Sequence, residues 1–104
     1  MLSTYPSCFF KKENGYSVIF PDLNYLVICG ETLDEVFAMA VDCLSSYLYL
    51  QRKENESTPP PSTMEQINLN DVANELQLKE SDGFINIVTV DVTEYTKTHF
   101  EISV

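Results

Sequence analysis

Histidine occurs once in this chain and cysteine three times. His99 has no recognisable nucleophile or metal partner and reads as a surface residue. Cys8, Cys29 and Cys43 are odd in number and lack C-x-x-C spacing, so reduced free thiols are expected rather than disulfides or a zinc site. Glycine occurs three times, and no GxGxxG, P-loop, HExxH or GxSxG motif is present. The chain is therefore read as a non-enzyme with no cofactor and no metal. No apolar run approaches the roughly 20 residues of a membrane span. The opening MLSTYPSCFFKK has no basic stretch ahead of an apolar one, as a secretory signal would. The expected location is cytoplasmic, away from membranes.

Positive charge is scarce too. Six Lys and Arg face sixteen Asp and Glu, for a net charge of −10. Such a chain repels phosphate backbones, so direct nucleic-acid binding by these residues is not expected. The same field favours encounter with a basic protein. What remains is ordinary for a small globular domain: 104 residues, 44% of them hydrophobic, enough for one core.

Tyr5 to Glu13 carries β-formers and then turns polar before Asn14-Gly15, a type I′ hairpin signal in which both central residues take positive φ. Tyr16 to Phe20 is the return strand. Pro21-Asp22-Leu23-Asn24 is a turn, and Tyr25 to Cys29 a third antiparallel strand. In Thr32-Leu33-Asp34-Glu35, Thr32 is an N-cap and Glu35 sits at the third helical position, completing a capping box. Glu31, Asp34 and Glu35 also lie near the positive end of the helix dipole. Capping accounts for most of this acidic cluster. A second use, docking a partner, is open for Asp22, Glu31, Asp34, Glu35 and Asp42 around the helix start. Leu33, Val36, Phe37, Ala40, Leu44, Tyr47 and Leu48 form one apolar face of a helix that runs to about Lys53.

Residues 54–63, ENESTPPPST, contain three consecutive prolines and read as a connector. Asp71 to Lys79 reads as a short helix capped by Asn70 or Asp71. Phe84 to Val92 is dense enough in Ile and Val to suggest a central strand buried on both faces. Thr93 to Thr98 reads as a polar link. Phe100, Ile102 and Val104 alternate with polar residues, the pattern of a last strand that contacts a second copy of the chain. The expected assembly is a homo-oligomer, a dimer or higher.

The order βββαβ implies a crossover, and a right-handed one sets strand four parallel to strand one in a sheet of order 3-2-1-4. That arrangement is an α+β fold, half of a ribonuclease-H-like one, with residues 1–95 as the domain and 96–104 as a strand or tail. A metal nuclease of that class needs several carboxylates converging at strand ends. Here the interior of the first strand has none. Asp22 lies in a turn, Asp91 projects from strand four, and nothing pairs them.

The stretch YPSCFFKKENGYSVIFPDLNYLVICGETLDEVFAMAVDCLSSYL resembles the N-terminal domain of HicB-like antitoxins. It shares a strand opening Y-P-x-x-F, then G-Y-x-V-x-F-P-D-L, then G-x-[ST]-x-x-E and a helix ending in Y-L. Pro59-Pro60-Pro61-Ser62 is similar to the family's proline-rich link, and FINIVTVDVTEY to its later strand. Two positions depart from the pattern: Val36 stands where Ala is usual, and Asn24-Tyr25 where glycine is frequent. The resemblance implies an antitoxin that binds a small basic HicA-type ribonuclease, covers its active site and prevents mRNA cleavage. It also implies a C-terminal DNA-binding segment, expected about where this sequence ends. Two other classes stay open on the residues: a free-standing oligomerisation or sensor domain, and a degenerate hydrolase.

Overall fold

The computed structural model describes residues 2–78 and 83–99. Four strands, β1 (Leu2–Lys12), β2 (Gly15–Phe20), β3 (Leu26–Gly30) and β4 (Gly83–Asp91), form one sheet. Its order is β3-β2-β1-β4, as the element order implies. The helices are α1 (Leu33–Lys53), α2 (Leu69–Glu75) and α3 (Val92–His99).

The orientation of β4 corrects the expected topology. It pairs antiparallel with β1, in a register running from Leu2 opposite Asp91 to Phe10 opposite Gly83. The parallel crossover on which the ribonuclease-H comparison rested is thus absent, and the whole sheet is antiparallel. The cause lies between α1 and β4. That long segment passes to the sheet's second face and carries α2 there, so the chain re-enters from the opposite end. α1 covers the first face with Val36, Ala40, Leu44 and Leu48 against Tyr5, Phe9, Val18, Phe20, Ile28 and Val88. Val72 and Ala73 of α2 cover the second face, against Cys8, Phe10 and Ile19. Strand β1, buried from Tyr5 to Phe10, is therefore the central strand. β4 lies at the edge, with Val88 and Val90 buried but Ile85 and Ile87 only half-buried. Its apolar density reflects one fully packed face, not two.

Local signals were realised with shifts. The β1–β2 turn is Glu13-Asn14, closed by the Lys12–Gly15 pair. Among the glycines and their neighbours here, positive φ falls on Gly15 alone, at 145°, and not on the Asn14-Gly15 pair of a type I′ turn. A Cβ at Gly15 would stand 2.3 Å from the Gly30 carbonyl oxygen, so close approach of the next hairpin fixes glycine there. Pro21–Leu23 form a 3-10 turn closed by Asn24 in the left-handed region. Tyr25 shares that region at φ 56°, which delays β3 to Leu26. α2 is capped by Asn68, whose Oδ1 accepts from the Asp71 amide at 3.1 Å, rather than by Asn70 or Asp71. This earlier start turns Val72 and Ala73 onto the sheet. The expected polar link 93–98 is helical: Asp91 Oδ1 accepts from the Glu94 amide at 3.1 Å and starts α3. That bond holds the Asp91 carboxyl below its ordinary pKa. Phe100, Ile102 and Val104 lie outside the described residues.

The start of α1 follows the sequence reading at the Thr32 N-cap but not in the return bond of the capping box. Thr32 Oγ1 accepts from the Glu35 amide at 3.1 Å, while Glu35 Oε2 reaches the Glu31 amide at 3.3 Å, one residue beyond the cap. Thr32→Ala removes an acceptor for an exposed amide and is expected to cost about 1 kcal/mol. Urea unfolding of the variant beside wild type checks this; an unchanged midpoint would contradict the cap.

Candidate functional site

Strand β3 is the short edge of the sheet, hydrogen-bonded to β2 from Tyr16–Gly30 to Phe20–Leu26. α1 lies over its inner face, where Ile28 is buried. Two hollows open where helix and strand edge meet. At the Gly30 end is a cleft of about 530 Å³ lined by Lys12, Tyr16, Cys29, Gly30, Glu31 and Glu35 among others. At the Leu26 end is a groove of about 310 Å³ lined by Leu26, Asp42, Cys43, Ser46, Tyr47 and Leu50. The two share no lining residue but both border β3; this seam is mostly apolar at the Leu26 end and brings Glu31 and Glu35 beside Lys12 and the β1–β2 turn at the Gly30 end.

Helical geometry explains which carboxylates the seam receives. Glu35 and Asp42 are seven residues apart, so they differ by only about 20° around the helix and share a flank. Asp34 differs from Asp42 by about 80° and turns toward the flank of Phe37 and β4. The five carboxylates that the sequence grouped around the helix start are thus not together. Glu31 and Glu35 line the cleft and Asp42 the groove. Asp34 is exposed on the other flank. Asp22 is half-buried in the turn after β2, where its two oxygens accept from the Ser62 amide and hydroxyl, both at 2.7 Å. The Tyr5 hydroxyl donates to the Pro59 carbonyl beside it. Asp22 therefore fastens the proline-rich connector to the sheet. Among the described residues, Glu31, Asp34, Glu35 and Asp42 form no ion pair; the pair found there is Lys97–Glu94.

Thiols complete the picture. All three cysteines are free. Burial pushes the Cys8 thiol up to about 11. Burial, and secondarily the Asp42 carboxylate, raise the Cys43 thiol as well, so it lines the groove as a neutral group at pH 7. Cys29 is exposed, with Ser17 Oγ at 3.4 Å and Lys12 Nζ at 3.8 Å. The described residues hold no group of three or more metal-ligating side chains, and no helix among them is long and apolar enough to cross a membrane.

Sequence reasoning missed the seam's apolar half. Leu26 and Leu50 belong to elements that periodicity assigns separately, and only the tertiary fold sets them side by side. A second exposed patch was equally hidden. Phe84 and Phe37, 44% and 40% exposed, flank Phe9 with ring centroids at 5.1 and 6.0 Å.

Residues 5–104 match the family model described as HicB-like antitoxin of bacterial toxin–antitoxin systems. The chain is similar to Antitoxin HicB 2 of Photorhabdus laumondii, 36% identical over 59 residues, 57% of this chain and 42% of that one. It is 30% identical over 90 residues to an uncharacterised 14.9 kDa protein of Haemophilus phage HP1, covering 86% of this chain and 62% of that one. The chain therefore spans less than two thirds of the length of either relative. Among solved structures, it superposes on a chain of a toxin–antitoxin complex from Streptococcus pneumoniae with a TM-score of 0.81 and 29% identity. That match covers 99% of this chain and 78% of the other.

Proposed function

The chain belongs to the HicB-like antitoxin family of bacterial toxin–antitoxin systems, and on that premise we propose that it binds a small basic HicA-type toxin and covers its active site. In this reading the chain has no catalytic role and acts in the cytoplasm, where the toxin's mRNA substrates are. The observation that carries the proposal is the set of exposed carboxylates along α1. Glu31, Asp34, Glu35 and Asp42 are exposed and lack ion-pair partners among the described residues. Fully solvated, such a set adds self-repulsion to a chain already at −10, and a cationic partner relieves it. Asp22 stands apart from this set, its carboxylate taken up by Ser62 of the connector.

Electrostatic attraction of this kind acts before contact and therefore speeds encounter. Exposed charges are screened beyond about 8 Å at physiological ionic strength. The association rate with a HicA-type toxin is expected to fall steeply as salt rises, with a smaller change in dissociation rate. Stopped-flow mixing across a salt series measures both. An association rate that does not respond to salt would contradict charge-guided capture.

A further inference from the structure

We propose that the open edge of β3 takes up an extended, positively charged segment of the toxin as a fifth strand of the sheet. This deepens the preceding reading and rests on it, since it needs the partner to be a basic protein.

The first support is the edge itself. β3 has one strand neighbour, β2, and no other described segment bonds to its backbone. An unpaired strand edge is a template for another chain unless something blocks it. The opposite edge shows such a block: on β4, Asn86 Oδ1 accepts from the Ile87 amide at 2.9 Å and occupies the strand's own backbone. β3 has no equivalent among the described residues.

The second support is what lies on either side. An added strand sends alternate side chains to opposite faces of the sheet. On the α1 face they meet the groove of Leu26, Cys43, Tyr47 and Leu50. On the other face they meet Val27, which is 45% exposed. Both faces of the incoming strand thus find apolar surface.

Charge then selects the occupant. Glu13, Glu31 and Glu35 outnumber Lys12 in the cleft at one end of the edge, and Asp42 stands at the other. A second copy of this chain paired there by two-fold symmetry would bring two sets of these carboxylates together, between molecules of charge −10 each. A cationic strand meets them with opposite sign. The basic partner is favoured over self-pairing.

The test uses the full chain and a HicA-type protein in a catalytically inactive form. Hydrogen exchange is followed in the free chain and in the mixture. Amides of residues 26–30 are expected to become protected in the complex. Asp42→Lys and Leu50→Arg are each expected to weaken binding about tenfold or more, whereas Glu65→Lys changes the net charge as much as Asp42→Lys does but lies in the 3-10 turn Met64–Gln66, away from β3, and should shift affinity no more than about threefold. A stable complex in which the β3 amides exchange as in the free chain would overturn strand addition and leave the antitoxin reading standing. Equal weakening by Asp42→Lys and Glu65→Lys would likewise overturn it, because net charge alone would then govern binding. Absence of any complex would overturn both proposals.

Discussion

Leu44→Ala is expected to destabilise the protein by about 2–5 kcal/mol, among the largest effects available to a single substitution in this fold. Leu44 is fully buried at the middle of the α1 face that packs on β1, β2 and β3. Truncation loses the transfer energy of three carbons and leaves a cavity that a sheet on one side and a helix backbone on the other cannot easily close. A domain of this size has roughly 5–15 kcal/mol to lose, so the variant should unfold at a much lower denaturant concentration. Leu33 offers the comparison. It belongs to the same periodic pattern but is 41% exposed, and Leu33→Ala, which removes three carbons little more than half buried at about 0.8 kcal/mol each, should cost about 1–1.5 kcal/mol with no cavity left behind. Denaturant unfolding of both variants checks the contrast. Equal losses would mean that the register of α1 against the sheet is wrong.

The second large effect is expected at Asp22. Its carboxylate accepts two bonds of 2.7 Å from Ser62, and a hydrogen bond to a charged group contributes about 1.5–3 kcal/mol. Asp22→Ala removes both and loosens the middle of the connector, which the Tyr5–Pro59 bond still ties to the sheet while residues 54–56 stay bonded to the end of α1. Because the site is only half-buried and the freed Ser62 donors regain part of this from water, the loss should be that of one such bond, about 1.5–3 kcal/mol, with faster proteolytic cleavage within residues 54–63. Ser62→Ala keeps the backbone donor and should cost less. A Ser62→Ala variant that is the less stable of the two would show that the carboxylate is not the anchor.

These two residues also mark how far the sequence could be read. Leu44 was legible because a helix repeats its core positions every three or four residues and Thr32 fixed where counting starts. The meander was legible because each turn carries its own chemistry, whereas the expected sheet order is the observed one although the parallel crossover it was argued from is absent. Asp22 was not legible in its actual role. A turn aspartate looks the same whether it faces solvent or a connector forty residues later, and the Pro-rich segment announces only that it is not helical. That same segment hid the direction of β4. Local periodicity reports a strand's faces but not which end the chain enters from, and here the passage of α2 across the second face decided it. The seam failed for a related reason. Glu35 and Asp42 share a flank by helical arithmetic alone, but pairing that flank with Leu26 and an open strand edge requires the folded sheet.

The measurement that bears most directly on the account is inhibition of RNA cleavage by a HicA-type toxin, titrated with this chain. If the chain covers the toxin's active site, cleavage falls in proportion to added protein and ends at a fixed stoichiometric ratio, and Asp42→Lys shifts the titration to higher concentration. Cleavage that continues undiminished in excess chain would contradict the account.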